Sequence, residues 1–144
     1  MKKLSVGIKG TCALRVEERH TANRMKSGTL EVFATPSVVA LAEECAWTCI
    51  QDCLTEGQTT VGTFIQVKHI SPTPIGMSVT CQTDLIKIEG RKLTFTFEVF
   101  DDTDKIAFGT HERFIIDTPV FLKKASEKRK STNKRYYAAH LRRR

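Results

Sequence analysis

The repeat of apolar residues changes near residue 57, from the 3.6-residue period of a helix to the two-residue period of a strand. Before that point, the run 37–54 is rich in Ala and Glu and has no internal Gly or Pro. Thr35 is a suitable N-cap, and Pro36 is suited to the first helical position. Apolar residues cover most of the circumference, which predicts one long helix that is buried on several sides.

Alternating apolar residues predict strands on both sides of this helix. We expect a first strand within residues 4–17, a polar loop over 18–31, and four more strands over 59–71, 76–89, 92–100 and 105–117. Short turn signals separate the last strands, which indicates an antiparallel meander. A strand, a buried helix and four further strands predict an α+β chain of the hotdog fold, with an antiparallel sheet wrapped around one long central α-helix.

The net charge of +7 comes from the C-terminal segment. Residues 123–144 contain ten Lys or Arg and one acid, a sum of +9, and residues 1–122 contain 13 bases and 15 acids, a sum of −2. We therefore predict a domain over 1–122 and a basic, disordered tail over 123–144. Nucleic-acid binding through the tail is the less favoured hypothesis, because the domain itself is nearly neutral.

Chain length and cysteine content narrow the class of protein. The 144 residues suffice for one domain with its own core, and no apolar run approaches the roughly 20 residues of a membrane span. Five cysteines are an odd number, which favours a reducing cytoplasm over a secreted disulfide framework. Three of them, at positions 45, 49 and 53, have helical spacing and are expected to be buried small side chains rather than metal ligands.

Three residues of the predicted helix and strands could carry chemistry. Glu43 lies in the apolar helix, either on a solvated edge or as a base or nucleophile. His69 lies on the face of its strand that carries Val61, Ile65 and Val67, either as a structural group or as a catalyst. Thr35 either caps the helix or presents its hydroxyl at the positive helix end.

Spacing constrains how these groups combine. Thr35 and Glu43 are eight residues apart, about 12 Å along a helix axis, so one shared site requires an irregular helix start or a dimer. Gly62 indicates either a bulge or a close approach of a ligand to the backbone. His111 and Arg113 share one face of the last strand, where they could form a salt bridge or contact a charged ligand.

Short motifs at matching spacings extend this picture. They are Val32-Phe33-Ala34-Thr35, Glu43, Val61-Gly62-Thr63, Val67-Lys68-His69, Thr73-Pro74-Ile75-Gly76, Ile88-Glu89-Gly90-Arg91 and Gly109-Thr110-His111-Glu112-Arg113. In this order they resemble the fluoroacetyl-CoA thioesterase-like branch of the hotdog superfamily, over residues 5–117. The stretch 24–30 has no aromatic residue, whereas the fluoroacetyl-specific enzyme carries a phenylalanine in this lid.

The resemblance implies a hydrolase for a small or medium acyl-CoA, with Thr35, Glu43 and His69 as the catalytic set. It places Gly62 against the thioester carbonyl, and we predict Phe33 and Arg113 as further substrate-binding residues. It implies a homodimer or a higher oligomer with the site at the dimer interface. CoA enters only as part of the substrate, with no other cofactor, no metal and no membrane partner. A non-catalytic acyl-CoA-binding protein on the same scaffold is the alternative.

Overall fold

An antiparallel sheet packed against helix α2 forms the frame of the molecule. The computed structural model describes residues 2–142, with side chains to residue 130. The helices are α1 (Ala22–Met25), α2 (Thr35–Ile50) and α3 (Thr118–Arg142), and the strands are β1 (Lys9–Arg15), β2 (Gln58–His69), β3 (Ser78–Glu89), β4 (Lys92–Phe100) and β5 (Lys105–Asp117). The predicted first strand is thus shorter than expected, and the polar segment 18–31 includes the short helix α1.

The sheet order is β1-β3-β4-β5-β2 within the described residues. The meander prediction is right for β3, β4 and β5 and wrong for β2, which pairs with β5 instead of β3. Alternation identifies a strand but does not identify its partner. The observed pairing depends on Gly109, because a Cβ at that position would overlap the Gln66 carbonyl of β2. Strand β2 therefore lies at an edge of the sheet.

Helix α2 buries one face against the sheet. That face carries the core residues Val38, Leu41, Ala42, Cys45, Ala46 and Ile50. The prediction of burial on several sides is wrong for a single protomer, because Ala40, Glu44 and Trp47 are exposed. The predicted cap is also wrong: Ala34 is the N-cap and Thr35 is the first helical residue, so the Thr35 hydroxyl is free of a capping role.

A bulge in β2 changes which residues face the helix. The register with β5 shifts between Gly62 and Phe64, so one extra residue separates the two halves of the strand. Thr60 is buried as a result, and Gly62 lies against the side chain of Glu43. The prediction that Val61 shares the inner face with Ile65 is therefore wrong, since strict alternation fails at a bulge.

Helix α3 begins directly after β5, where the Thr118 N–H donates to the Gly57 carbonyl at 2.8 Å. It runs to Arg142, and residues 143–144 lie outside the described residues. The division into a domain over 1–122 and a basic tail over 123–144 stays a prediction. The Thr-Pro start and the Ala, Glu, Lys and Arg residues that come after Leu122 favour helix formation. None of the described helices is long and apolar enough to cross a membrane.

Candidate active site

Thr35 and His69 form a hydrogen-bonded pair at the start of α2. Thr35 is the first residue of that helix and His69 is the last residue of β2. The Thr35 Oγ1 and His69 Nδ1 atoms lie 2.8 Å apart. The bulge and the pairing of β2 with β5 therefore place the His69 imidazole beside the N-terminal end of α2. The positive end of a helix stabilises a developing negative charge.

The His69 ring is set up to exchange a proton. Burial lowers its pKa, so the imidazole is neutral near pH 7. Its Nε2 atom is buried and has no hydrogen-bond partner among the described residues. A neutral imidazole beside a hydroxyl is the arrangement that general-base activation of an alcohol or a water requires.

A cavity of about 310 Å³ adjoins this pair. Apolar groups form most of its wall: Ala22, Val32, Phe33, Ala34, Ile70 and Pro72. Phe33 is buried in the core, and its ring meets the His20 ring edge-on with centroids 6.3 Å apart. The polar groups in the wall include Thr35, His69 and two serines, so the cavity combines an apolar surface with one hydroxyl–imidazole pair.

Glu43 belongs to a second cluster, around Arg113. The Arg113 Nη1 donates to Glu43 Oε2 at 3.2 Å, and the Arg113 side chain is 7% exposed against 40% for Glu43. Arg113 also donates to the Thr60 hydroxyl at 2.8 Å and to the Thr60 carbonyl at 3.0 Å. Burial lowers the pKa of Arg113 and the Glu43 carboxylate opposes that shift, so the guanidinium stays charged.

Gly62 lies directly beneath the Glu43 carboxylate. A Cβ at this position would come within 2.5 Å of Glu43 Oε2 and 3.3 Å of His111 Cε1. Gly62 and Glu43 line a cavity of about 240 Å³ together with Thr63, Phe64, Ile65 and His111. The absence of a side chain leaves the backbone of Gly62 accessible from this cavity.

Within one protomer, the predicted residues therefore fall into two groups. Thr35, His69 and Phe33 line the first cavity, and Glu43 and Gly62 line the second, with no lining residue in common. Arg113 is buried, and most of its donors bond to Thr60, Glu43 and His111. Its role in substrate binding stays a prediction, as do the catalytic assignments.

Alternation predicts that His111 and Arg113 share one face of β5, and the His111 Nε2 and Arg113 Nη1 atoms lie 3.1 Å apart. Sequence reasoning missed the part played by Thr60, because the bulge reverses the face on which Thr60 lies. Among the described residues, no group of three or more His, Cys, Asp or Glu side chains is arranged to hold a metal ion.

Comparison with known proteins agrees with the motif pattern. The family model FlK, described as fluoroacetyl-CoA-specific thioesterase, matches residues 16–119. The fluoroacetyl-CoA thioesterase of Streptantibioticus cattleyicolor is 39% identical over 101 residues, which are 68% of this chain and 70% of that protein.

Solved structures resemble the whole frame. A structure of the fluoroacetyl-CoA thioesterase FlK aligns with a TM-score of 0.84 at 32% identity, over 88% of this chain and 98% of that chain. A hot-dog-like protein from Thermanaerovibrio acidaminovorans aligns with a TM-score of 0.78 at 24% identity, over 85% and 91% of the two chains. These likenesses confirm the predicted hotdog fold.

Proposed function

Because the chain belongs to the fluoroacetyl-CoA-specific thioesterase family and is a thioester hydrolase, we propose that it hydrolyses an acyl-CoA with a small or medium acyl group. The observation that carries this proposal is the 2.8 Å contact between Thr35 Oγ1 and His69 Nδ1 at the wall of an apolar cavity. The cavity volume of about 310 Å³ lies at the lower end of the range for ligand pockets, which favours a short acyl chain.

The second part of the proposal is that the site forms between two copies of the chain. Strand β2 is an edge strand of 12 residues, and a long edge is stabilised when another strand pairs with it. His69 ends β2 and Gly62 lies near its middle. An antiparallel pair of β2 strands, related by a two-fold axis close to Ile65, would bring His69 next to Gly62 of the partner subunit.

This dimer would join the two half-sites that a single protomer keeps apart. The hydroxyl–imidazole pair of one copy would face Glu43 of the partner subunit across a shared cavity. The exposed part of the Glu43 carboxylate supports this arrangement, because 40% of the side chain remains available for contact. The spacing problem between Thr35 and Glu43 on one helix then disappears.

The chemistry follows from these groups. His69 accepts a proton from the Thr35 hydroxyl or from a water molecule held in its place, and the oxygen attacks the thioester carbonyl. Gly62 N–H and the positive end of α2 stabilise the oxyanion that forms. The C–S bond breaks and the CoA thiolate takes the proton from His69. If a water molecule attacked, the acid is released directly. If Thr35 attacked, a second water gives a proton to Glu43 and attacks the acyl-Thr35 ester, the ester C–O bond breaks, and Glu43 returns the proton to the Thr35 oxygen. If the Glu43 carboxylate is instead the nucleophile, water hydrolyses the acyl-Glu43 anhydride, which releases the acid and restores the carboxylate.

The first test is a hydrolysis screen over acyl-CoA esters of increasing chain length, with free thiol as the readout. We expect turnover of short or medium esters, and losses of at least about 100-fold in kcat/KM for Thr35→Ala, Glu43→Gln and His69→Ala. If CoA esters raise the melting temperature but no thiol is released, the protein binds acyl-CoA without hydrolysing it, and the proposal is wrong.

The second test is complementation between two inactive variants. In a mixture of Thr35→Ala with Glu43→Gln, each mixed dimer has one site with both native residues. Random exchange of subunits should restore about a quarter of the native activity. A mixture of Thr35→Ala with His69→Ala is the matched control and should stay inactive, because both changes fall in the same half-site. No recovery in the first mixture, with mixed dimers present, would place the whole site within one protomer.

A further inference from the structure

We propose that His111 is a positioning residue, which holds the Glu43 carboxylate through Arg113 and holds the β2 bulge through the Phe64 carbonyl. Its effect on hydrolysis rests on the function proposed above. The hydrogen-bond pattern behind it stands on the contacts of His111 alone, and can be tested without any substrate.

The two ring nitrogens of His111 have fixed and opposite roles. Its Nε2 atom lies 3.1 Å from Arg113 Nη1, and a guanidinium can only donate, so Nε2 accepts. Its Nδ1 atom lies 2.8 Å from the Phe64 carbonyl oxygen, which can only accept, so Nδ1 carries the proton. His111 is therefore a neutral imidazole in the Nδ1–H tautomer.

Packing holds the ring in this orientation. The residue is 1% exposed, and its ring stacks on Phe95 with centroids 6.2 Å apart and planes inclined by 30°. The charged groups around it are Arg113 and Glu43, with Glu112 next to it on β5. Burial lowers the pKa of His111, and the Arg113 charge lowers it further, whereas the Phe64 carbonyl and the two carboxylates oppose the shift. An imidazolium would direct a second N–H at the guanidinium, so a charged form would break the network.

The network joins two walls of the cavity that holds Glu43. One arm runs from His111 to Arg113 and on to Glu43 of α2, and the other runs from His111 to Phe64, two residues beyond Gly62. Both groups that would face the substrate from this side thus depend on one buried ring. His69 is different, because its Nε2 has no partner among the described residues and remains available for chemistry.

The first experiment determines the tautomer directly. Long-range ¹H–¹⁵N correlation spectra of ¹⁵N-histidine-labelled protein should show one histidine as Nδ1–H from pH 7 to 8, and this signal should disappear in His111→Gln. An Nε2–H form or an imidazolium at pH 7 would overturn the proposal. This result does not depend on whether the protein hydrolyses any ester.

The second experiment separates positioning from general stability. We expect His111→Met to lower kcat about tenfold or more with KM changed less than threefold, because the carboxylate and the bulge are no longer fixed. His111→Gln should recover most of that loss, since an amide can donate to Phe64 and accept from Arg113. Val79→Ala is the control: Val79 is buried on β3, which β4 separates from β5, so the change lowers the melting temperature but leaves the hydrogen bonds of His111 in place and should keep kcat.

The outcomes distinguish the two proposals. If the unmodified protein hydrolyses acyl-CoA and His111→Met matches it in kcat, the positioning role is wrong and the proposed function stands. If no ester is hydrolysed, the proposed function fails and the tautomer measurement alone decides the hydrogen-bond network.

Discussion

His69 is partly buried and His111 fully buried at the inner side of the sheet, and they differ in what their ring nitrogens contact. His69 contacts a hydroxyl on one side and no described partner on the other, so its proton can move. His111 has one nitrogen bound by a cationic donor and the other by a carbonyl, so its proton is fixed. A histidine side chain can exchange a proton or hold a neighbouring group in position. The groups bonded to its two ring nitrogens decide between these roles.

Gly62 is the position at which one added methyl group should have the sharpest effect. In Gly62→Ala the new Cβ would lie 2.5 Å from Glu43 Oε2 and displace the carboxylate from Arg113. We expect kcat to fall at least about tenfold and the free energy of unfolding to fall by about 1–3 kcal/mol, measured by steady-state kinetics and by denaturant titration.

The double variant Gly62→Ala/Glu43→Ala is the control for this mechanism. Removing the carboxylate removes the atom that the methyl group meets, so the double variant should be more stable than additivity predicts from the two single variants. Its activity should remain low, because the carboxylate is lost. Additive losses of stability would show that the methyl group acts elsewhere.

At the scale of elements, the sequence predicts much of the frame and little of its pairing. Residues 92–100 and 105–117 form strands with the predicted bounds, because alternation and turn residues are local signals. The pairing of β2 with β5 is not local, and neither is the bulge after Gly62. This bulge also explains why alternation does not place Thr60 on the buried face, since one extra residue reverses the face on which the earlier residues of β2 lie.

The exposed edge of β2 is the element on which the proposed dimer depends. Phe64 is 48% exposed near the middle of this strand, and a two-fold axis close to Ile65 would place two copies of it near each other. Phe64→Asp would set two carboxylates together and disfavour the strand. We expect the dimer Kd, measured by sedimentation velocity, to rise at least about tenfold, which is about 1.4 kcal/mol.

Ile86→Asp is the matched control for this change. Ile86 is 47% exposed, and it lies on β3, which two strands separate from β2. It should leave the sedimentation profile unchanged. Hydrolysis by Phe64→Asp should fall at low protein concentration and recover at high concentration. Full activity in a purely monomeric sample would contradict a site built from two copies.

At the scale of the whole molecule, the sequence predicts only part of the arrangement of the candidate site. The resemblance implies one set of Thr35, Glu43 and His69, and Thr35 and His69 are in contact because the helix start and the end of β2 meet at one point. Glu43 was predicted in the same set, but one protomer places it with Arg113 instead. In the proposed dimer, Glu43 meets the pair of a second copy of the chain, and no pattern within one sequence gives the position of that copy.

The basic segment 123–144 provides the last prediction. Removing this segment removes a net charge of +9 and leaves a chain with a net charge of −2. The described side chains of residues 123–130 are all exposed. We expect the truncated chain to keep its melting temperature within about 3 °C, because none of the described side chains of 123–130 belongs to the core. Its kcat/KM for an acyl-CoA at high salt should stay within about twofold of the full chain, because screening removes long-range attraction there.

The difference should appear at low salt, where the full chain attracts the phosphates of CoA and the truncated chain does not. A plot of log kcat/KM against ionic strength should therefore be steeper for the full chain. Truncation after residue 130 removes five of the ten bases and should give an intermediate slope. If both truncated chains match the full chain in kcat/KM at every salt concentration, the basic segment 123–144 has no part in substrate capture. If instead only the full chain binds single-stranded nucleic acid at moderate salt, while all three chains bind CoA equally, the positive charge of this segment serves nucleic-acid binding.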